Sequence, residues 1–537
     1  MKIRSDVLRT YQPVHSWTGI TTGLLLFIAF FAGALTMFKA PLTQWAIPAN
    51  HTLPPVSFEQ YDTLVHKATS EFASAANGFT LHFDGQQSPM TWYEQGGGRG
   101  LHIHNQMRHA SLNESGELVS VANKQNVLGD LIDQLHRTAG IPGSLGHEDI
   151  GVLILGVASA LYFIALVSGV IFLLPSLVKS FFALRQSKGA NRFWLDTHNL
   201  IGITSLPFHL LIAWTVVVFA FHDMLYGGLS FIYGDEPMFE RNGGSKQVYT
   251  LAELPSIDSY FNAVNALVDG YEVVSLSFDN LTTPRAQLTI EVAGDGRLQR
   301  TGDADVIAMH PFTQQVTYST LSIPDNGMYG PIVKSFFALH FGNFAGDTGR
   351  WIYFLLGIMG AILFYTGNLL WLEKRRQKQA RQTRSVTFMA NLTIGVCVGS
   401  ILGVTTTLLA SKWLYLAGVD INLGYINVYY GVFVSSVVFA FWQGAAKSAI
   451  VLQGLTALTC LGIPLTTFIT WMTTDNSQWQ PGTDTLFVEI LALVFAGIFY
   501  KAACKTKQRA YNGETDSIWF VAKAPGDTPK ERAGAIT

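Results

Sequence analysis

Apolar residues in this chain come in long unbroken runs rather than in the short alternations of a soluble fold. A membrane-spanning helix needs about 20 mostly apolar residues. Eight stretches approach or exceed that: 17–38, 151–174, 200–221, 351–372, 388–410, 425–442, 449–472 and 486–500. Two long interruptions, 40–150 and 223–350, are polar and change period. The second predicts a helix over 251–268, strands at "YEVVSLSF" and "AQLTIEV", then a turn-bearing "IAMHPFTQQVTYS". The first repeats that plan: a helix over 58–73, strands at "FTLHF" and "MTWYE", then "ASLNESGELV". The pattern therefore predicts a helix–α+β insertion–helix unit used twice, followed by four further helices. Segment boundaries fall at 1–39, 40–150, 151–222, 223–350, 351–375, 376–503 and 504–537.

Composition agrees with an integral membrane protein. Of the 537 residues 49% are hydrophobic and only 13% charged, too few charges to cover a soluble surface of this size. The net charge of −2 argues against nucleic acid as a partner. The first apolar run follows a basic start (Lys2, Arg4, Arg9), but it is too long for a signal peptide and no small-x-small site follows, so an uncleaved anchor is expected. Lys and Arg in short loops mark the cytoplasmic side. The N-terminus, the 179–192 loop, "EKRRQKQARQTR" from Glu373, Lys447 and the tail from Lys501 all fall on one side of an eight-span topology. Both termini are then cytoplasmic and both insertions face outward.

Three cysteines, Cys397, Cys460 and Cys504, all lie in or beside apolar runs. They offer no disulfide framework, no cysteine-rich iron–sulfur site and no C-x-x-C-H haem attachment. No Walker loop and no G-x-G-x-x-G after a strand is present, so no flavin or NAD site is expected on this chain.

The candidate chemistry lies in histidine. "RTYQPVHSWTGIT" from Arg9 and "RFWLDTHNLIGIT" from Arg192 place His15 and His198 in a shared H-x-x-x-G-I-T at the cytoplasmic starts of helices one and three. His136 in "DQLHRTAG" and His340 in "FFALHFGNFAG" sit on the outer side, before helices two and four. Neutral imidazole ligates haem iron, and two facing histidines saturate it axially, favouring electron transfer over oxygen chemistry. Inward-facing side chains of a four-helix bundle are a common way to hold such a cofactor. Gly19, Gly202, Gly140 and Gly346 are placed to let a flat macrocycle approach, and Arg137 and Arg350 to meet its propionates. A single histidine at a membrane interface is more simply an amphipathic residue at a wet boundary; four in register argue for function.

Other histidines stay open. His209, eleven residues after His198 on nearly the same face of a continuous helix, reads as ligand, relay or satisfied buried group. His222 is an alternative outer ligand. His102 and His104 in "LHIHNQMRH" would share one face of a strand as a weak metal or substrate contact, although an exposed strand and turn is the plainer reading. Trp17, Trp194, Trp351 and Trp371 read as interfacial anchors.

The "DQLHRTAG" and "FFALHFGNFAG" elements, the two outer insertions and the paired helices resemble the PepSY-associated transmembrane proteins over about residues 1–375. The resemblance implies an inner membrane protein of Gram-negative bacteria, with two small PepSY-like periplasmic α+β domains on a four-helix haem-binding core. It also implies a haem-containing reductase of ferric iron or ferric siderophores. Two non-covalent b-type haems would be held by bis-His ligation through His15, His198, His136 and His340. His209 lies outside the family pattern. The expected donor is a cytoplasmic reductase, a reduced flavin or the quinone pool, and a separate transporter would collect the ferrous product. Two alternatives remain: a membrane-anchored periplasmic binding or protease-regulating module, and a transporter accessory subunit. The repeat shows no obvious broken-helix site of the transporter kind.

Overall fold

The computed structural model describes residues 4–46, 53–83, 85, 87–96, 101–146, 148–176, 184–185, 190–233, 247–294, 304–321, 329–376, 382–473, 483–513, 517 and 519–521. Most of the basic 179–192 loop, part of the run after Glu373 and most of the tail beyond α15 (below) lie outside these residues. The helices are α1 (Ser5–Thr36), α2 (Lys39–Ala46), α3 (Tyr61–Glu71), α4 (Ala73–Asn77), α5 (Leu128–Thr138), α6 (Ile150–Leu173), α7 (Ala190–Thr204), α8 (Leu206–Tyr233), α9 (Ile257–Leu267), α10 (Tyr329–Phe341), α11 (Gly346–Arg376), α12 (Arg384–Leu416), α13 (Ile421–Gln443), α14 (Ala445–Thr473) and α15 (Thr483–Asn512). Eight of them, α1, α6, α8 and α11 to α15, are long and apolar enough to cross a membrane. This is a multi-pass membrane protein.

The third span departs from expectation. It is not one helix over 200–221: Ser205 interrupts it, with α7 before and α8 after. Pro207 lacks the N–H that a continuous helix would donate to the carbonyl four residues earlier, and its ring crowds that carbonyl. His198 and His209 therefore sit on different helices. At the other end, α15 runs to Asn512 rather than stopping near 500, and Lys447 lies in the first turn of α14, not in a loop.

The chain divides into two compact units. One comprises Met1–Phe31, Ile164–Leu206 and Met359–Thr537; the other comprises Ala32–Phe163 and Pro207–Ile358.

Within the first unit, α12 is packed by small residues. A Cβ on Gly395, Gly399 or Gly403 would stand 2.9 Å from Val437 Cα, 2.7 Å from Ser436 Cβ or 3.0 Å from the Tyr429 ring of α13. Glycine every fourth residue lets the two backbones approach where lipid gives no hydrophobic drive to associate.

Within the second unit, both insertions contribute to one sheet. Its strands are β1 (Phe79–His82), β2 (Met90–Gln95), β3 (Gln106–Leu112) and β4 (Leu118–Lys124) from the first insertion, and β7 (Glu272–Asp279), β8 (Gln287–Ala293), β9 (Asp305–Met309) and β10 (Val316–Ser319) from the second. A two-strand hairpin, β5 (Ser144–Leu145) and β6 (Glu148–Asp149), stands apart. The order is β10-β9-β8-β7-β1-β2-β3-β4, antiparallel throughout. The expectation of two separate small domains is corrected here. Each insertion is a four-strand meander, and the two share a seam, with Phe79 opposite Phe278 and Leu81 opposite Leu276. Left apart, β1 and β7 would each be an edge with unpaired backbone groups. Joined, they also bring α3 and α9 over a single core that includes Leu64, Ala68, Tyr260, Val264, Leu276 and Phe278. Both helices start later than expected, after short 3-10 turns at Phe58–Gln60 and Leu251–Glu253.

Candidate functional site: two histidine pairs

Within the first unit, His15 of α1 faces His198 of α7, with ring centroids 6.3 Å apart and planes at 72°. Each ring is seated on another helix in the same way. His15 Nδ1 lies 2.8 Å from Ala165 O of α6, and a Cβ on Gly169 would stand 2.9 Å from that nitrogen. His198 Nδ1 lies 3.2 Å from Leu363 O and 3.2 Å from Thr366 Oγ1 of α11, and a Cβ on Gly367 would stand 3.3 Å from its Cε1. A carbonyl only accepts, so Nδ1 of His15 carries the ring proton and Nε2 keeps a lone pair. Ser168 Oγ donates to Ile164 O at 2.6 Å and to Ala165 O at 3.1 Å. Thr366 Oγ1 does likewise to Ile362 O at 2.8 Å and Leu363 O at 3.0 Å.

The seats are therefore "IALVSG" (164–169) and "ILFYTG" (362–367): a carbonyl, then Ser or Thr three positions on, then Gly four positions on. Sequence reasoning missed this second duplication. The shared hydroxyl–Gly pair at matching places in helices two and four was the available signal. Nothing lies within 4 Å of where a Cβ would stand on Gly19 or Gly346, and Gly202 meets only Leu363 Cδ1, at 3.6 Å.

Within the second unit, His136 near the end of α5 faces His340 near the end of α10, with centroids 6.2 Å apart and planes at 37°. A Cβ on Gly33 of α1 would stand 2.6 Å from His136 Nδ1, so only glycine admits that ring. His340 Nδ1 lies 2.8 Å from Thr215 Oγ1 of α8. That hydroxyl already donates to Leu211 O at 2.9 Å and Ile212 O at 3.1 Å. With its one proton committed, it accepts from the histidine, which again leaves the lone pair on Nε2.

The remaining candidates separate. His222 is about half exposed, its Nδ1 bonds Phe219 O of its own helix at 2.7 Å, its Nε2 lies 3.2 Å from Asp223, and its ring lies 6.2 Å from that of Tyr226. His209 is fully buried, and its ring neighbours are Tyr162 at 6.0 Å and Phe208 at 5.5 Å. Arg137 bonds Gln134 Oε1 at 2.8 Å and lies 3.4 Å from Asp133, while Arg350 lies 3.5 Å from Asp347. Both guanidinium groups thus already have carboxylate neighbours. His102 and His104 precede β3 in a turn instead of sharing a strand face. Among the described residues no group of three or more His, Cys, Asp or Glu is placed to hold a bare metal ion.

Sequence reading also passed over three features. Asp196, buried two residues before His198, takes Arg185 Nη2 at 2.6 Å and Nε at 2.9 Å and has Arg192 at 3.2 Å. The hydrogen bond from Arg185 holds its carboxyl below the ordinary range. Arg375 lies 3.5 Å over the Trp371 ring and 5.4 Å over that of Trp17, so two expected interfacial anchors are joined by one cation. Lys412, buried in α12, donates to Thr467 Oγ1 of α14 at 2.5 Å.

A family model described as the PepSY-associated TM region matches residues 12–374, well over half of the chain. No curated protein matches it.

Proposed function

We propose that this chain, a member of the PepSY-associated transmembrane family, is a transmembrane electron conduit that reduces ferric iron or ferric siderophores through two bis-His haems. The spacing of the paired rings is the observation that carries this reading. Imidazole nitrogen binds a transition metal at about 2 Å, so two rings sharing one ion would stand roughly 6 Å apart, centre to centre. The pairs stand at 6.3 and 6.2 Å. A second support is the state of the rings: His15 and His340 present Nε2 with its lone pair because Nδ1–H is spent on a neighbour, the usual outer-shell arrangement of a metal-bound histidine. The donor set therefore fits iron porphyrin.

Each haem, when bound, supplies one iron that takes up and gives back a single electron. The protein's own part would be to hold two imidazoles per site, His15 with His198 and His136 with His340, which would suit one-electron exchange rather than oxygen chemistry. His15 and His198 are held by backbone and hydroxyl groups of α6 and α11; His136 and His340 are held against α1 and α8. On this reading the side rich in short-loop Lys and Arg is the cytoplasm of a bacterial inner membrane, served by the first pair, and the periplasm is served by the second. One pair per side suits a hydrocarbon layer about 30 Å thick. An electron leaving a negative interior gains about 2.3 kcal/mol per 100 mV. At the outer end one electron converts Fe(III) to Fe(II), which binds hard oxygen chelators less well and is released for a separate ferrous transporter. A two-electron donor, quinol or reduced flavin, thus serves two ferric ions.

The test is spectroscopic. Purified protein is expected to carry two non-covalent b-type haems with a reducible Soret and α-band. His15→Ala and His340→Ala are each expected to remove one spectral component. A haem-to-protein ratio of zero ends the reading; unchanged spectra in both variants end the pairing.

A further inference from the structure

The helix that carries His340, α10, is thirteen residues long and apolar over Ile332–Phe341, with Lys334 its one lysine and no carboxylate. So short a helix takes its pose from its neighbours. Phe337 packs on Phe219 of α8 with ring centres 4.5 Å apart, but apolar contact is non-directional and sets no unique turn of α10 about its axis. The charge supplies one. Lys334 is buried, and its Nζ donates to Asp305 Oδ2 of β9 at 2.6 Å. Asp305 is fully buried too, and its Oδ1 accepts from Thr320 Oγ1 at 2.9 Å. Thr320 Oγ1 accepts in turn from the Val306 N–H at 2.8 Å, so the sheet as well as the lysine orients the carboxylate.

A buried ion pair is a poor source of stability. Taking both charges out of water costs about as much as their attraction returns, and an apolar pair of the same volume often serves as well. What it adds is a penalty on other packings, because any turn of α10 that parts the two leaves a buried charge uncompensated. Lys334 and His340 are six residues apart, so their side chains leave α10 about 120° apart around it and about 9 Å apart along it. A helix pinned to the sheet at Lys334 has the azimuth of His340 pinned with it. We infer that the Lys334–Asp305 pair is a positioning device for His340, fixing how its ring meets that of His136, with 37° between the planes. This rests on the haem reading above, and every residue it uses lies in the second unit.

The experiment compares purified full-length proteins by redox titration, by electron paramagnetic resonance of the oxidised form and by thermal melts. The resonance of low-spin ferric iron depends on the angle between its two axial ring planes. Components are assigned by their loss in His15→Ala and in His340→Ala. Lys334→Met combined with Asp305→Leu removes both charges and leaves an apolar contact, so the melt should stay at or above that of the unmodified protein. The component lost with His340 should nevertheless split into more than one form with a shifted midpoint, while the other stays as it was. Loss of that component alone, at an unchanged melt, is the same failure carried further. A double variant with both components unchanged, or changed alike, overturns the inference while leaving two haems in evidence. Should the double variant fail to accumulate, Thr320→Val decides: it keeps the ion pair but releases Asp305 Oδ1, and the His340 component should broaden. An unchanged signal there overturns the inference as well. Unmodified protein without haem overturns the reading beneath it instead.

Discussion

The two copies of the repeat agree closely at the first histidine pair; in the second, His340 bonds a hydroxyl of α8. His15 and His198 stand on helices that offer the same seat, a carbonyl with a hydroxyl three positions on and a glycine four positions on. A Cβ on Gly33 would stand against the ring of His136, and His340 bonds the Thr215 hydroxyl. In the insertions the two copies pair through β1 and β7 and share one core. Where the copies must do the same job, the same local chemistry persists. Where they meet one another, each is fitted to its own surroundings.

The sharpest way to break this comparison is at the two glycines beneath the rings. Gly33→Leu would place side-chain atoms where His136 now lies, since even a Cβ there comes within 2.6 Å. Gly169→Leu does the same to His15, at 2.9 Å. Each is expected to lower haem content from two per chain toward one, with a 10–100-fold or greater loss of affinity at the affected site. Pyridine haemochrome analysis measures it. The spectral component lost should match that of His340→Ala in the first variant and His15→Ala in the second; if each glycine change removes the other component, the seats are misassigned.

A smaller effect tests whether the insertions are one folding body. Leu276 is fully buried on β7 at the seam, opposite Leu81. Leu276→Ala should cost about 2–5 kcal/mol. Hydrogen exchange should then rise in β2 and β3 of the first insertion as well as in β8 and β9. A rise confined to the second insertion would mean that the copies fold independently despite the shared sheet.

The smallest expected effect concerns a pair within the first insertion. Burial would raise the Glu94 carboxyl, but hydrogen bonds from Arg108 and Trp92, with the Arg108 charge, outweigh it and hold the group below its ordinary value. A carboxyl with a lowered folded value adds stability above its unfolded value and loses it as pH falls through the folded one. Glu94→Gln should therefore cost about 1 kcal/mol or less near neutral pH. The difference from the parent protein should shrink as the solution is acidified through the carboxylate range, followed by thermal melts. A difference that grows on acidification would contradict the assigned direction.

The eight spans and the two insertions were legible because length and period are local properties: about 20 apolar residues have few alternatives but to span, and alternating strands announce themselves. The histidines in pairs were legible too, since the duplicated H-x-x-x-G-I-T and the two Leu-His elements needed no knowledge of contacts. The break at Ser205 could have been foreseen from Pro207, yet apolar periodicity runs straight across it. What the chain alone could not specify were relations between distant segments. That His15 is seated on Ala165 and Gly169 rather than near Gly19, that Thr215 receives the proton of His340, that Arg137 faces Asp133, and that β1 finds β7 all depend on which helix face or strand edge meets which. Side-chain pattern fixes what a segment must bury. Only packing, where a few tenths of an ångström at a glycine admit or exclude a ring, decides which partner buries it.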